Sequence, residues 1–337
     1  MRVLLGCVNS GVSLVGYDLA RRAPFWYCPG NVLRACGVCA HRGALWVATD
    51  NVVQRLDAAG VALLPLPGPH ENLAHSVKPL DFAGGEALGV ADTGNSRVLV
   101  LGGMKALFSL SPLEGWLEAA AADGSEAGGD AGRVLPPDAI HLNDFISWKD
   151  GLLVSAFNYQ PFAGLKRDFP SWQAEGLGVL FHLRRHEGRT VARVAASGLD
   201  CPHSLTLWEG AVYCCSSARG MFFRYVEDGH GNLREDARWP VTESHFLRGA
   251  LRVEGGWLLG GSSRRHREDG GGMCLFLLHD DGRVEELSLG GPGEIYDILP
   301  WDGTLMPGIC AMLASRPLLD LPGDFPPRCV LPREYAD

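Results

Sequence analysis

The sequence lacks long hydrophobic runs. No stretch of its 337 residues approaches the roughly 18 consecutive apolar residues of a membrane-spanning helix, so the chain is not expected to cross a bilayer. Positive charge is also scarce, since 30 basic residues against 39 acidic ones give a net charge of −9. Proteins that follow phosphate backbones carry basic surfaces, so a nucleic-acid partner is not expected. The apolar N-terminus has no small-residue cleavage site and is interpreted as mature structure rather than a signal peptide.

The signatures of several large enzyme classes are missing as well. The sequence has no GxGxxG between a strand and a helix, no phosphate-binding loop, no Gly-x-Ser-x-Gly elbow and no HExxH. Its 10 cysteines are scattered through a chain much longer than a disulfide-stapled scaffold. This spread favours reduced thiols and predicts a cytoplasmic location.

Short apolar runs separated by Gly, Asp and Asn are abundant, whereas long amphipathic helical patterns are scarce. One kind of run recurs, each copy following another apolar strand and a tight turn and preceding a third strand. The copies are residues 43–50, 86–93, 151–156, 210–215 and 256–261. A repeat of roughly 40 to 60 residues is typical of the four-stranded blades of a propeller.

The sequence therefore predicts an all-β fold, a six-bladed β-propeller in one domain over residues 1–315. Residues 294–301 resemble the first strand of a blade without its successors, so we expect the N-terminal strands to pair with them and close the ring. A sandwich of two stacked sheets is the alternative, because strand periodicity does not separate it from a ring. The predicted blades are 1–30 with 293–303, 34–68, 72–114, 139–198, 201–241 and 244–290, followed by an extended tail, 316–337.

Three sets of motifs resemble known propellers. Residues 91–98 (ADTGNSRV) resemble the turn between the second and third strands of NHL-type propellers. Residues 141–145 (HLNDF) resemble a motif of the gluconolactonase and senescence-marker propellers, in which an asparagine faces a central cation. In order, the segments 141–143, 202–204, 246–249 and 294–297 resemble successive blade starts of an uncharacterised bacterial family of NHL-like or WD40-like propellers. The last resemblance implies the fold and nothing about chemistry.

Chemistry is expected where the first strand of each blade begins, because these strands line the channel of a propeller and their starts converge. The residues at these starts are His75, His141, His203, His245 and Glu294. Imidazoles from different blades build transition-metal sites without a local motif. We predict one divalent transition metal, Fe, Zn, Mn or Cu, held by His75, His141, His203 and His245. The alternative is that these histidines only form hydrogen bonds with loops.

A predicted substrate-binding set surrounds these positions. Its members are Asn143, Asp144, Ser204, Arg248 and Tyr296. An arginine at the axis implies a carboxylate, phosphate or sulfate on the ligand, because the guanidinium pairs with such groups. The alternative for Arg248 is an internal ion pair with Glu294 or Asp297.

The predicted function is a small-molecule enzyme that acts on an anionic substrate at the mouth of the channel. His203, His141 and Glu294 are its predicted catalytic residues, and a lyase, a hydrolase and an oxygenase all remain open. The alternative is a non-catalytic propeller that binds a ligand or peptide on its loop face. Long insertions at 116–137, 158–176 and 262–272 are predicted to lie on that face, and the sequence leaves open whether the first two act as a lid.

Overall fold

The computed structural model describes residues 1–29, 35–81, 87–114, 137–158, 176–262 and 272–314. Its first eleven strands are β1 (Arg2–Val8), β2 (Val12–Asp18), β3 (Ala23–Pro29), β4 (Gly37–His41), β5 (Ala44–Ala48), β6 (Val52–Asp57), β7 (Gly60–Pro65), β8 (Ala74–Leu80), β9 (Ala87–Asp92), β10 (Arg97–Leu101) and β11 (Ala106–Leu110). The others are β12 (Leu142–Trp148), β13 (Gly151–Ala156), β14 (Gly178–His186), β15 (Arg189–Leu199), β16 (Pro202–Trp208), β17 (Ala211–Ser216), β18 (Met221–Glu227), β19 (Leu233–Pro240), β20 (Phe246–Val253), β21 (Gly256–Ser262), β22 (Cys274–His279), β23 (Val284–Ser288) and β24 (Glu294–Pro300). One α-helix, α1 (Met306–Ala314), follows the last strand.

The strands form six four-stranded sheets. Five of them use consecutive strands: β4 to β7, β8 to β11, β12 to β15, β16 to β19 and β20 to β23. The sixth has the order β24-β1-β2-β3 and joins the C-terminal strand to the N-terminal ones. In it, Val3 pairs with Pro300 and Val8 with Glu294, in antiparallel register. The fold is the predicted six-bladed β-propeller, and the predicted closing sheet is confirmed.

The described chain divides into two compact units. Unit 1 comprises described residues of Met1–Pro65, Cys215–Phe223 and Arg238–Asp337, and unit 2 comprises those of Leu66–Cys214 and Arg224–Ala237. The assignment of residues 1–315 to one domain stays a prediction. Most of the predicted insertions at 116–137, 158–176 and 262–272, and all of the predicted tail at 316–337, lie outside the described residues. Within the described segments, no helix has the length and apolar content needed to cross a membrane.

Burial falls from the second strand of a sheet to the fourth. Strands β5, β13 and β21 are buried at every position. Strands β7, β19 and β23 are mostly exposed or half-buried. A strand that is covered on both faces needs apolar residues throughout, which explains why runs such as residues 151–156 (GLLVSA) show no alternation with polar residues.

Tight turns connect first and second strands. The two-residue links Arg42-Gly43 and Glu209-Gly210 have positive φ at both positions, 53° and 69° in the first and 48° and 75° in the second. This is the geometry of a type I′ turn, whose twist matches that of the flanking antiparallel strands. Glycine after a polar residue therefore sets the register of these hairpins.

Helix α1 covers part of the core of unit 1. Its residues Met306 and Ile309 belong to the same buried cluster as Leu45 and Leu56. Gly308 makes this approach possible, because a Cβ atom there would lie 2.5 Å from the Leu56 carbonyl oxygen. The helix thus docks with its backbone close to β6.

The segment 91–98 forms a closed turn in unit 2. The Asp92 carboxylate accepts hydrogen bonds from Asn95 Nδ2 at 2.9 Å and from Arg97 Nε at 2.8 Å. Burial raises the pKa of Asp92, while its bonds with Asn95 and Arg97 act in the opposite direction. At the turn, the Gly94 amide donates to Asn72 O at 2.7 Å, and Gly94 O accepts from the Asp138 amide at 2.9 Å. The turn therefore holds the backbone at Asp138.

Replacing Gly94 by alanine is expected to lower the free energy of unfolding by about 2 kcal/mol, because overpacking at a rigid site forces the backbone to move. The new Cβ atom would overlap the Glu71 carbonyl oxygen. Urea unfolding of the wild type and Gly94→Ala measures the difference. The matched control is Gly103→Ala, where φ is +59° and no atom lies within 4 Å of the added Cβ. It should lose only about 1 kcal/mol, the cost of a left-handed alanine, and equal losses in the two variants would contradict the overlap.

Candidate functional site

Three first strands of unit 2 begin with the same local structure. Leu73, His141 and Cys201 adopt left-handed backbone conformations, with φ of 48°, 50° and 51°. Two residues after each of them, a side chain donates a hydrogen bond to the carbonyl oxygen of that left-handed residue. The three bonds are His75 Nδ1 to Leu73 O at 2.6 Å, Asn143 Nδ2 to His141 O at 3.0 Å and His203 Nδ1 to Cys201 O at 2.9 Å.

This repeat changes the expected alignment of the blade starts. The structure aligns Asn143, rather than His141, with His75 and His203. His141 takes the position of Leu73 and Cys201, two residues earlier. Because a carbonyl oxygen only accepts, Nδ1 of His75 and of His203 carries a proton, and in the neutral ring Nε2 is then the acceptor atom.

His141 forms a dyad with a residue outside the predicted set, Asp138. His141 Nδ1 lies 3.0 and 2.9 Å from the two carboxylate oxygens of Asp138, and both side chains are buried. Asp138 is also left-handed, with φ of 56°. The carboxylate accepts from Nδ1–H, so in the neutral ring Nε2 carries the lone pair, and this form of imidazole acts as a general base or a ligand. Left-handed non-glycine residues cost free energy and often accompany functional sites.

Aromatic contacts connect the histidines of unit 2. The His75 and His141 rings meet edge to face with centroids 5.3 Å apart. The buried ring of Phe157 lies 4.4 Å from the His141 ring and 5.0 Å from the His203 ring, measured between centroids. His141 and His203 therefore share an apolar neighbour.

Asn143 has an acceptor that faces no donor in the described part of the chain. Its side chain is 2% exposed, and its Nδ2 is fixed by the bond to His141 O. That bond orients the amide, since only nitrogen can donate to a carbonyl. Among the described residues, none donates a hydrogen bond to Asn143 Oδ1. A buried acceptor of this kind is costly unless a ligand or water supplies a proton.

The predicted substrate residue Asp144 is occupied by bonds within the protein. Its carboxylate accepts from Ser76 Oγ at 2.7 Å, from Lys78 Nζ at 2.7 Å, and from the amides of Phe145 and Leu205 at 2.8 and 2.7 Å. Four donors match the acceptor capacity of a carboxylate. The side chain thus ties together strands β8, β12 and β16. Ser204, the neighbour of Leu205, lies in β16 with a left-handed φ of 58°.

Arg248, Glu294 and Tyr296 lie together in unit 1. Arg248 Nη1 donates to Glu294 Oε2, and Asn9 Nδ2 donates to Glu294 Oε1 at 2.6 Å. The guanidinium carbon of Arg248 stacks over the rings of Tyr296 at 4.2 Å and Phe246 at 4.8 Å. The internal ion pair, one of the two arrangements considered for Arg248, is the one that the structure contains.

His245 is also in unit 1. Its Nδ1 lies 2.9 Å from Ser244 Oγ and its Nε2 lies 3.1 Å from Gly272 O. Both ring nitrogens therefore already face protein groups. Within the described ranges, no three His, Cys, Asp or Glu side chains form a group that could hold a metal ion. The metal predicted on His75, His141, His203 and His245 stays a prediction.

A further buried histidine, His182 in β14, lies outside the predicted set. Its ring packs edge to face on Trp148, with centroids 4.7 Å apart. Burial lowers the pKa of His182, and the charges of Arg193, Arg184 and Lys149 lower it further, whereas Asp150 acts in the opposite direction.

The stability of the protein should therefore depend on the charge of His182. In the unfolded chain this histidine titrates near its ordinary pKa of 6.5, and in the folded chain it titrates at lower pH. Between the two values the unfolded state binds more protons, so the free energy of unfolding falls as the pH drops below about 6.5. Urea unfolding between pH 8 and 5, conditions set by that ordinary pKa, should show a smaller fall for His182→Asn than for the wild type. If the free energy of unfolding falls by the same amount with pH in the wild type and in His182→Asn, this role of His182 is contradicted.

Comparison with known proteins supports the fold. No family model and no curated protein sequence matches the chain. A protein of unknown function from Bacteroides caccae is 13% identical over 88% of this chain and 97% of its own, with a TM-score of 0.56. Streptogramin B lyase is 12% identical over 85% of this chain and 83% of its own, with a TM-score of 0.49. A protein described as a putative gluconolactonase is 18% identical over 77% of this chain and 79% of its own, with a TM-score of 0.48.

The similarity between this chain and these structures is a similarity of fold. These identities are too low to carry residue roles or substrates over to this chain. The Bacteroides caccae structure, also of unknown function, agrees with the resemblance to an uncharacterised family. The chemistry has to be argued from the residues of the site.

Proposed function

We propose that the protein is a small-molecule enzyme in which the Asp138–His141 dyad transfers a proton. The observation that carries this proposal is the buried pair of bonds between His141 Nδ1 and the Asp138 carboxylate, at 3.0 and 2.9 Å. A carboxylate behind an imidazole fixes its tautomer and stabilises the imidazolium that forms during the reaction.

In this mechanism, His141 Nε2 removes a proton from the substrate or from water. The positive charge that forms on the ring is stabilised by Asp138, and the proton is then returned to the leaving group. Asn143 is two residues from His141 in sequence, and its buried amide oxygen, which accepts no hydrogen bond from the described residues, is assigned a hydrogen bond from a substrate hydroxyl or N–H group. The Phe157 ring forms an apolar wall beside His141. A base of this kind serves both hydrolysis and elimination.

The transition metal stays a prediction. Nδ1 of His75, His141 and His203 each faces an acceptor on the protein, an arrangement that also occurs in histidines that bind a metal through Nε2. No step of the proposed mechanism depends on a metal. An anionic substrate was predicted because Arg248 could pair with it. In the structure Arg248 forms an ion pair with Glu294, so the charge of the substrate stays a prediction.

Carboxylic esters and lactones are suitable test substrates, because both hydrolysis and elimination of an ester release a carboxylic acid. A panel of them is screened by proton release at constant pH, with protein purified without a polyhistidine tag. Relative to the wild type, His141→Gln and Asp138→Asn should each lower kcat about a hundredfold, as expected for loss of general-base catalysis. His186→Gln changes an exposed histidine on the β14–β15 turn and should leave kcat unchanged.

Two outcomes would contradict the dyad. One is equal turnover by the wild type and His141→Gln. The other is a nitrogen NMR spectrum of histidine-labelled protein in which His141 carries its proton on Nε2. Saturable ligand binding without turnover would favour the non-catalytic alternative. A stoichiometric metal that is lost in both His141→Ala and His203→Ala would support the metal hypothesis.

A further inference from the structure

A pocket lies in unit 2, at the opposite end of β12 from the dyad. Its volume is about 480 Å³. Its walls are formed by Lys149, Asp150, His182, Arg184, Arg193 and Glu227, together with residues 229–231. Because β12 has seven residues, the two ends of the strand are about 20 Å apart. The pocket and the dyad are therefore separate sites.

Positive charge exceeds negative charge in this pocket. Lys149, Arg184 and Arg193 contribute three positive charges, whereas Asp150 and Glu227 contribute two negative ones. This local excess contrasts with the net charge of −9 of the whole chain. A cleft with an excess of one sign of charge attracts ligands of the opposite sign.

Arg193 is held in place on the wall of the pocket. Its Nε lies 3.3 Å from His182 Nδ1, its Nη1 donates to Asn232 Oδ1 at 3.3 Å, and its Nη2 donates to Gly231 O. Gly231 permits this contact, since a Cβ atom there would lie 2.5 Å from Arg193 Nη2. These bonds use three of the five N–H groups of the guanidinium, so two are left for a ligand.

The turn beside Arg193 is also rigid. Asp228 Oδ1 accepts from the amides of His230 at 2.8 Å and Asn232 at 3.1 Å, and its Oδ2 accepts from Asn232 Nδ2 at 3.1 Å. Gly229 and Gly231 have φ of 80° and 87°. A fixed turn keeps the entropic cost of binding low.

The two carboxylates that pair with the other cations are exposed. Arg184 Nη1 donates to Asp150 Oδ2 at 3.2 Å, and the Asp150 side chain is 61% exposed. Lys149 Nζ pairs with Glu227, whose side chain is 38% exposed. Exposed ion pairs of this kind contribute little free energy, so a bound anion can displace either carboxylate. His182, by contrast, is buried and forms a fixed inner wall.

We propose that this pocket binds a small-molecule oxyanion, a phosphate or carboxylate group, between Lys149, Arg184 and Arg193. The guanidinium groups donate paired N–H bonds to the oxyanion, and the ammonium group of Lys149 supplies a point charge. The site is independent of the proposed proton transfer at His141. Its failure would therefore leave the proposed function standing, and the reverse also holds.

Isothermal titration calorimetry of the full chain with inorganic phosphate, pyrophosphate and citrate tests this site at constant ionic strength. The wild type should give saturable binding with at least one anion. The phosphate and citrate arms separate a phosphate ligand from a carboxylate ligand. Arg184→Gln and Lys149→Gln should each weaken binding by about tenfold, the effect of losing one charge-assisted hydrogen bond. Arg185→Gln and Arg189→Gln, exposed neighbours on the β14–β15 hairpin, are the matched controls and should bind like the wild type.

Backbone amide NMR spectra locate the bound anion independently, because binding in this pocket should shift the signals of Gly229 and Gly231. Thermal unfolding checks that each variant is folded. Two results would overturn the proposal: no saturable binding of any of the three anions, or equal weakening by Arg184→Gln and Arg185→Gln. The second result would mean that the anions respond to the general charge of the hairpin rather than to this pocket.

Discussion

Removing the Glu294 carboxylate by a Glu294→Ala substitution should lower the free energy of unfolding by about 4 kcal/mol. Both partners of the Arg248–Glu294 pair are buried, with side chains 7% and 5% exposed. The variant would leave the Arg248 charge buried without its counter-ion, and breaking one side of a buried pair costs about 3–5 kcal/mol. Among its contacts with the described residues, the guanidinium would retain its stacking on Phe246 and Tyr296. Urea unfolding monitored by tryptophan fluorescence measures the loss.

Two further variants show whether the loss of stability comes from a buried charge without a partner or from the loss of any ion pair. The double variant Arg248→Met, Glu294→Leu removes both charges and should recover most of the lost stability, because an apolar pair of similar volume avoids the desolvation cost. Asp280→Ala removes an exposed partner of Arg252 in unit 1 and should cost less than about 1 kcal/mol. If Glu294→Ala is as stable as the wild type but loses ligand binding or turnover, Glu294 has the catalytic role predicted from the sequence.

Replacing Asp144 by alanine should lower the free energy of unfolding by about 3 kcal/mol. The substitution removes the acceptor for four donors and leaves Lys78 Nζ with only the Leu205 carbonyl oxygen, at 3.0 Å, among its described hydrogen bonds. The expected loss lies at the lower end of the range for buried pairs, because the Lys78 side chain is 22% exposed and can turn toward water.

Asp236→Ala is the matched control for Asp144→Ala, since Asp236 forms an ion pair with Arg224 near the surface of the same unit. Its loss should stay below about 1 kcal/mol. The loss of unfolding free energy in Asp144→Asn should lie between the losses in Asp144→Ala and Asp236→Ala. An amide keeps one acceptor but places N–H groups against other donors. A stable Asp144→Ala protein would instead support the predicted substrate-binding role of Asp144.

The fold could be predicted because its signal is repeated. Runs such as 43–50 and 210–215 share a glycine turn followed by an uninterrupted apolar strand, and each copy reinforces the same interpretation. The closing strand was identified because residues 294–301 resemble a first strand without successors. Helix α1 was not predicted, because Met306–Ala314 contains a proline and a glycine and has no polar face. Its position depends on contacts with distant residues such as Leu56.

The site was harder to predict than the fold. From the sequence, His75, His203 and Asn143 could be placed near the starts of first strands. Their shared register could not be predicted, because it depends on the left-handed residue two positions before each of them. Asp138 was missed, although its spacing of three residues from His141 was visible. For Arg248 the sequence left open an anionic ligand and an internal ion pair with Glu294 or Asp297, because residues 46 positions apart carry no local signal that decides between them.

The left-handed blade starts have a consequence for how this protein can change. At positions 75, 143 and 203 the main chain offers the same carbonyl acceptor, and both imidazole and carboxamide side chains satisfy it. Exchanging histidine for asparagine at these positions keeps the local bond while replacing an imidazole nitrogen by an amide oxygen as the second polar atom. Mutation can therefore alter the reactivity and proton affinity of each position separately, without rebuilding the strand that carries it.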